Sequence, residues 1–255
     1  MPLTLETVPC LTDNYAYLIH DTESSATAVV DVPEVDPVLD RLEARGWTLT
    51  DILITHHHND HIGGVDPMRQ RTGARVTGAR ADAHRLPALD RIVDPGDTVT
   101  LGGETGSVLD APGHTVGHIA YHFPASTLAF TGDSLMACGC GRLFEGTPEQ
   151  MWQTLSQLAG LAPETIICSG HEYTQANIRF ALSIDPENAR LQARARSVDE
   201  KRAAGEATLP VELSEELATN PFLRAADPAI RAGLGLETAQ NVAVFAEIRR
   251  RKDSF

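Results

Sequence analysis

One short segment carries the strongest chemical signal in this sequence. Directly after the apolar run Ile52–Ile54, residues 55–61 read Thr-His-His-His-Asn-Asp-His. Side chains two positions apart lie on the same side of an extended segment. His56 and His58 can therefore face one ion while His57 faces away. The pattern indicates metal ligands presented at the end of a strand.

Two more residues that could bind a metal complete this segment. Asp60 and His61 come as the chain turns, where they could reach a second ion beside the first. Imidazole with carboxylate is the ligand chemistry of catalytic zinc, manganese or iron rather than of calcium. The alternative is a surface histidine tract that scavenges metals without specificity. Five ligand-type residues in seven, at the end of a predicted strand, favour the catalytic site.

Three more candidate ligands stand in loop-like positions after predicted strands. They are His114 after Pro-Gly, Asp133 after Thr-Gly, and His171 after Ser-Gly. Taken singly, the two histidines could be ordinary turn residues and the aspartate could be a helix N-cap. Together with the first cluster they complete the shells of two ions. We therefore predict a two-ion site.

The elements that must position these ligands are short strands with helices between them. Helical spacing of apolar residues predicts a helix over Val35–Arg45 that Gly46 ends. Thr147 is predicted to cap another helix, with Gln150 completing a capping box. Strands alternating with helices predict a layered α/β or α+β fold. Runs typical of strands are Tyr15–Ile19, Ala26–Val30, Ile52–Ile54, Val99–Leu101, Val108–Leu109 and Leu128–Phe130.

The composition changes after about residue 173. Residues 178–202 are rich in Ala, Arg, Leu and Glu, and residues 238–252 show helical apolar spacing. We predict a catalytic domain over residues 1–173 and a helical domain over residues 174–255, with no strand signal in the helical part.

Bulk properties narrow the classes of function. The formal charge of −14 argues against a nucleic-acid partner, because phosphate backbones bind basic surfaces. The N-terminal residues lack the charged start and apolar run of a signal peptide, and no run is long enough to span a membrane. We expect a soluble cytoplasmic monomer with no membrane partner. Its four cysteines are expected to be reduced and mostly packed.

These motifs together resemble the metallo-β-lactamase superfamily and, within it, the hydroxyacylglutathione hydrolases (glyoxalase II). The likeness covers nearly the whole chain, and its later segments are the ones typical of glyoxalase II. The matching segments are residues 12–15, 55–61, 112–115, 131–133, 140–146, 170–173, 220–222 and 249–253.

The resemblance implies an αββα sandwich, an α+β fold, with a C-terminal helical domain that binds substrate. It also implies two divalent metal ions per chain, zinc first, with iron or manganese possible. One ion would take His56, His58 and His114. The other would take Asp60, His61 and His171, and Asp133 would bridge the two.

The implied activity is hydrolysis of S-D-lactoylglutathione, a small-molecule thioester, to glutathione and D-lactate, the second step of methylglyoxal detoxification. Divalent ions lower the pKa of bound water, so that hydroxide is available near neutral pH to attack the thioester carbonyl. Asp60 and Asp133 are the implied catalytic residues. The resemblance places Arg249 and Lys252 at the glycine carboxylate of glutathione.

Three further positions are implied to line the rest of the peptide: Arg142, Phe144 and Tyr173. Arg142 and Phe144 stand where some relatives have Lys and Tyr, so the charge is kept and a hydroxyl is lost. An alternative for the basic run 249–252 is favourable charge at a helix C-terminus. Rival functions are a persulfide dioxygenase with one iron, a metal-dependent nuclease, and a non-catalytic metal- or glutathione-binding module.

Overall fold

The structure, a computed structural model, describes residues 2–255. The chain divides into two compact units. The first unit contains the residues up to Ala111 and Val116–Gly132, and the second contains Pro112–Thr115 and Asp133–Phe255. Within residues 2–255, no helix is long and apolar enough to cross a membrane. The domain boundary predicted between residues 173 and 174 stays a prediction.

The first unit is built on two β-sheets. One sheet has the strand order β1-β2-β3-β4-β5-β6, and the strands β10-β9-β8-β7 lie side by side in the other. The elements are β1 Thr4–Cys10, β2 Asn14–His20, β3 Thr27–Val30, α1 Asp36–Arg45, β4 Asp51–Leu53, α2 Asn59–Ile62, α3 Val65–Thr72, β5 Arg75–Ala79, a 3₁₀ turn Arg80–Asp82, β6 Arg91–Val93, β7 Thr98–Leu101, β8 Glu104–Asp110, β9 Ile119–Phe123 and β10 Leu128–Gly132.

Both faces of the first sheet are covered, which explains its nearly continuous apolar strands. On one face, Val38 of α1 and Met68 of α3 pack into a fully buried cluster with strand residues such as Ile52. On the other face, the ring of Tyr17 in β2 lies 5.8 Å from the ring of Phe130 in β10. The two sheets therefore stack with apolar side chains between them, and helices cover the outer face of the first sheet.

The second unit is mostly helical. Strand β13 pairs with β14, and β11 pairs with β12 as a two-residue hairpin ladder. The elements are β11 Leu135–Met136, β12 Gly139–Cys140, α4 Pro148–Ala159, β13 Ile166–Ser169, α5 Thr174–Ile184, α6 Ala189–Ala203, β14 Val211–Glu212, α7 Leu213–Thr219, α8 Pro228–Leu234 and α9 Asn241–Asp253.

Two local sequence signals are reproduced. Gly46 adopts a left-handed conformation (φ 66°) that ends α1 at Arg45. Thr147 caps α4, and both hydrogen bonds of the capping box with Gln150 are present.

The expectation that the C-terminal part has no strand is wrong, because two of its residues form a strand. Val211 and Glu212 form β14 and pair with Ile167 and Ile166 of β13. A strand this short gives no periodic signal of its own, because the edge of an existing sheet supplies its hydrogen bonds.

Candidate metal centre

The histidine segment (residues 55–61) begins directly after Ile54, a buried residue that follows strand β4 of the first sheet. The Ile119 backbone N–H donates to the Thr55 carbonyl (3.0 Å), which extends the segment past the end of β4. The rings of His56 and His58 lie 4.8 Å apart, and those of His56 and His61 lie 4.1 Å apart. The structure thus brings the three predicted histidine ligands of this segment together.

Asp31, which directly follows β3, supports two of these histidines. One carboxylate oxygen accepts the Thr55 backbone N–H (2.8 Å), and the other accepts the Thr55 hydroxyl (2.7 Å) and His61 Nδ1 (2.8 Å). The Thr55 oxygen lies 3.0 Å from His56 Nδ1 and accepts from it, since its own proton goes to Asp31. Both rings are therefore protonated at Nδ1, and Nε2 is the atom that would ligate a metal.

Asp31 was not among the residues that sequence reasoning selected. It holds a left-handed backbone conformation (φ 57°), which is unusual for a residue other than glycine. The only sequence signal was a lone aspartate directly after an apolar strand, and that pattern is too common to single it out.

His57 points to a different partner. Its Nδ1 lies 2.9 Å from Asp82, a fully buried carboxylate that also accepts from Arg85 (2.5 Å). A Cβ atom on Gly117 would lie 2.1 Å from the same carboxylate, so a larger residue there would displace the Asp82 side chain. Asp82 therefore anchors the middle of the histidine segment, and sequence reasoning missed it because it lies 25 residues away from His57.

Asp60 sits at the start of α2 and is partly exposed. The Asn14 side-chain amide donates to its carboxylate (3.2 Å) and to its carbonyl (3.0 Å). The carboxylate lies 3.8 Å from His61 Nε2. Asn14 thus fixes the orientation of the predicted aspartate ligand. His118, for which no functional role was predicted, is fully buried and stacks on the His56 ring at 4.7 Å.

The second unit holds the other three predicted ligands, which we call the loop triad (His114, Asp133 and His171). One oxygen of Asp133 lies 3.5 Å from His114 Nε2 and 3.3 Å from His171 Nε2. All three side chains are buried. His114 Nδ1 donates to the Arg142 carbonyl (2.8 Å), which again leaves Nε2 as the ligating atom. Asp133 therefore lies between two imidazoles, as a bridging carboxylate would.

Glycines let the loops of this triad pack closely. A Cβ atom on Gly141 would lie 1.9 Å from the Asp133 carbonyl and 3.0 Å from His114 Nδ1. Gly113, directly before His114, has a φ of 141°, and a Cβ atom there would lie 2.7 Å from Met151 Cβ. A side chain at position 141 would displace Asp133 or His114, and one at position 113 would collide with Met151.

Exposed aromatic and basic side chains surround the loop triad. The Phe144 ring is 61% exposed and lies edge-on to His114 at 5.3 Å, with the Arg142 guanidinium 5.9 Å from its centre. Tyr173 stacks on His171 at 4.6 Å and is 39% exposed. Three of the predicted substrate residues thus form one surface beside the triad.

The remaining two predicted substrate residues, on α9, are more enclosed. Arg249 is only 5% exposed: it donates to the Cys140 carbonyl (3.0 Å) and to Asp253 (2.7 Å), and it lies over the Phe222 ring. Lys252 donates to the Ala176 carbonyl (3.3 Å). Burial, followed by the nearby charges of Arg249 and Arg179, lowers the pKa of Lys252 below its usual value of 10.5.

The cysteines near this surface are unsuited to nucleophilic attack. All four cysteines of the chain are free and buried, as predicted. Burial raises the pKa of Cys138 to about 12 and that of Cys140 to about 11. Both are therefore neutral thiols at physiological pH, whereas a nucleophile would be a thiolate.

The ligand chemistry fits divalent metals. Imidazoles held at Nδ1, with carboxylates beside their Nε2 atoms, match zinc, iron or manganese, and clusters of this composition suit a dinuclear centre. Solved structures share this fold. BLEG-1, a B3 metallo-β-lactamase, matches with a TM-score of 0.67 and 21% identity, covering 86% of this chain and 99% of that chain. ETHE1 from Myxococcus xanthus matches with a TM-score of 0.66 and 25% identity, covering 100% and 99%.

Family models divide the chain almost without a gap. A model of the metallo-β-lactamase superfamily matches residues 13–171, which defines the general class. A model of the hydroxyacylglutathione hydrolase C-terminus matches residues 172–255. Hydroxyacylglutathione hydrolases from Cereibacter sphaeroides and Ruegeria pomeroyi are 61% and 58% identical to the chain, each covering 100% of both sequences. The chain belongs to the hydroxyacylglutathione hydrolase family, so the predicted membership and fold class are confirmed.

Proposed function

We propose that this protein is a metal-dependent thioester hydrolase that converts S-(2-hydroxyacyl)glutathione, such as S-D-lactoylglutathione, to glutathione and a 2-hydroxy acid, such as D-lactate. Full-length similarity to hydroxyacylglutathione hydrolases carries this conclusion. The two clusters of metal-type ligands supply the chemistry that such a hydrolase needs.

The histidine segment and the loop triad together are proposed to hold two divalent ions. One ion takes His56, His58 and His114, the other takes Asp60, His61 and His171, and Asp133 bridges them. Support comes from Asp133, whose carboxylate lies between two Nε2 atoms of the loop triad. Support also comes from the superfamily match, which spans all seven positions. Zinc is the metal that we propose.

Bound divalent ions would act as Lewis acids and would lower the pKa of bound water to near neutral. The chain's own groups position the proposed ligands. Asn14 donates one hydrogen bond to the Asp60 carboxylate and one to the Asp60 carbonyl, which fixes the orientation of the carboxylate. The leaving group is a thiolate whose conjugate acid has a pKa of about 8.5 in the simplest case. Such a group departs without strong protonation, so the site needs no separate general acid.

Glutathione is anionic, and this chain has a formal charge of −14. A local cationic surface is therefore required for binding. We propose that Arg142, Phe144 and Tyr173 contact the peptide and that Arg249 and Lys252 receive its glycine carboxylate. The lowered pKa of Lys252 supports this role, because a partly buried ammonium beside other cations is stabilised by an added anion. Arg249 also holds Cys140 and Asp253, so a structural contribution accompanies the proposed binding role.

The test is metal analysis of the purified chain coupled to a thioester assay. We expect about two metal ions per chain and release of glutathione from S-D-lactoylglutathione, detected with a thiol reagent. Removal of the metal with a chelator should abolish the release, and added zinc should restore it. Rapid release without metal, or no release with full metal content, would contradict the proposal.

A control separates this activity from related ones. The same preparation should be assayed with a β-lactam and with glutathione persulfide plus oxygen. One iron per chain together with oxygen consumption would favour the persulfide dioxygenase alternative. A monomeric state and a cytoplasmic location stay predictions from the sequence.

A further inference from the structure

A short hairpin in the second unit joins two parts of the proposed site. Strands β11 and β12 enclose the turn Ala137–Cys138, and Cys138 has a left-handed backbone conformation (φ 53°). Asp133 lies two residues before the hairpin and Arg142 two residues after it. The Gly141 N–H donates to the Ser134 carbonyl (3.1 Å) and closes the base of the hairpin.

The turn of this hairpin is held by side chains from the helical region. Asn177 of α5 donates to the Ala137 carbonyl (3.0 Å). Glu216 of α7 accepts the Cys138 backbone N–H (2.8 Å). Asn220, which ends α7, donates to the Gly139 carbonyl (2.9 Å) and more weakly to the Met136 carbonyl (3.3 Å). Four backbone polar groups of residues 136–139 are thus bonded by side chains of α5, of α7 and of Asn220.

The Glu216 carboxylate is fully buried, and both of its oxygens accept hydrogen bonds. Arg194 donates to one oxygen (2.5 Å), and Asn220 donates to the other (2.8 Å). Removing one partner of a buried, paired carboxylate is strongly destabilising, so these contacts hold Glu216 in place. The fully buried Cys138 side chain also packs with Ile178 and Leu191 of the helices. The turn is therefore fixed by both polar and apolar contacts.

The two chain segments at the base of the hairpin pack so closely that neither can move independently when the turn moves. A Cβ atom on Gly141 would lie 1.9 Å from the Asp133 carbonyl, so the two strands of the base touch through their backbones. A shift of the turn would pass to Asp133 directly, because packed backbones move together.

We infer that Asn177, Glu216 and Asn220 are positioning residues for the metal centre, acting on Asp133 through the 135–140 hairpin. The helical C-terminal region then has two tasks: binding the thioester and holding the bridging carboxylate in place. This inference rests on the proposed role of Asp133 as a metal ligand. It also accounts for the Asn220-Pro221-Phe222 motif, in which the Asn220 oxygen accepts the Phe222 N–H (3.0 Å).

The experiment compares three Asn→Ala variants of the full chain. Asn220→Ala and Asn177→Ala each remove bonds to the hairpin turn. Asn241→Ala is the matched control, because Asn241 accepts from Arg231 in the same unit and makes no hydrogen bond to residues 135–140. For each variant we would measure zinc affinity by competition with a chromophoric chelator, thermal unfolding, and kcat and KM for S-D-lactoylglutathione.

We expect zinc affinity to fall about tenfold in Asn220→Ala and severalfold in Asn177→Ala, near the low end for groups that orient metal ligands. The kcat value should fall with zinc affinity, and added zinc should restore part of it. Asn241→Ala should lose thermal stability but keep wild-type zinc affinity when folded.

Equal zinc affinity in all three variants would overturn the inference. Should Asn220→Ala fail to fold, Asn177→Ala decides alone, since it leaves the buried Glu216 network intact. A wild-type chain that binds no metal or releases no glutathione would instead contradict the proposed function, so the two failures are distinguishable.

Discussion

The two sets of predicted metal ligands in this protein are built in opposite ways. In the histidine segment, four predicted ligands come from six consecutive residues, and a single carboxylate, Asp31, supports two of them. In the loop triad, the ligands come from three loops up to 57 positions apart, from His114 to His171. Each of those loops has its own support, such as the Arg142 carbonyl for His114.

The difference shows how local and dispersed ligands are made rigid. In a continuous segment one outside anchor can serve several side chains, as Asp31 serves His56 and His61, because backbone geometry already relates those side chains to one another. Dispersed ligands depend on close backbone approach, which is why glycines at 113 and 141 stand beside the triad. Damage to one support should therefore spread in the histidine segment and stay local in the triad.

The largest effect is expected at the one residue proposed to serve both ions. Asp133→Ala should lose at least one metal and reduce kcat by about 100- to 1,000-fold, the range for removal of a catalytic electrostatic group. Mass spectrometry of bound metal and the thioester assay measure both. The control is Asp199→Ala, an exposed aspartate of the same unit. If Asp133→Ala kept its full metal content and its full rate, the proposal that Asp133 bridges the two ions would be wrong.

Asp31→Asn tests whether damage spreads in the histidine segment. Asparagine tolerates the left-handed backbone, but its amide nitrogen cannot accept the bonds that Asp31 takes from Thr55 and His61. We expect metal affinity to fall by about 10- to 100-fold. Chelator competition should show weaker binding of both ions, since two ligands lose their orientation. Weakening of one ion alone would contradict the shared anchor.

Gly141→Ala tests the close approach in the loop triad. The added methyl group would collide with the Asp133 backbone, which yields less easily than a side-chain end. We expect kcat to fall by about tenfold through misplacement of Asp133. Gly233→Ala is the control, because a Cβ atom there meets nothing within 4 Å and its helical position favours alanine. Similar kinetics in the two variants would show that the base of the hairpin has room to adjust.

The smallest effect concerns a cation outside both ligand sets. Lys252 has a lowered pKa, so its attraction for a carboxylate is present below that pKa and is lost as the pH rises through it. We expect the Kd of an S-alkylglutathione to rise by about fivefold over that range, as for a solvent-accessible ion pair. Lys252→Arg, which stays charged, should lack this rise, and calorimetry at a series of pH values tests the difference. Identical profiles would exclude Lys252 from the anion site.

Local signals in the sequence were good predictors of local structure. The helix over residues 35–45, its glycine stop and the capping box at Thr147 depend only on neighbouring residues, and all are present. In the first unit, strands β1, β5, β6 and β9 were not predicted. In β1 and β6 most residues are exposed or half-buried, and in β9 a buried run is interrupted by His122. Such strands are stabilised by pairing with neighbours and not by a periodic pattern.

For this protein, the sequence by itself determined the family and indicated the candidate metal ligands, because ligand chemistry and motif spacing are properties of the residues. Tertiary structure alone decided which groups hold those ligands. Asp31 and Asp82 reach the histidine segment, and Glu216 reaches the turn at Cys138, only after the chain has folded back on itself. Contacts between residues distant in the chain depend on how strands and helices pack, and no local pattern records that packing.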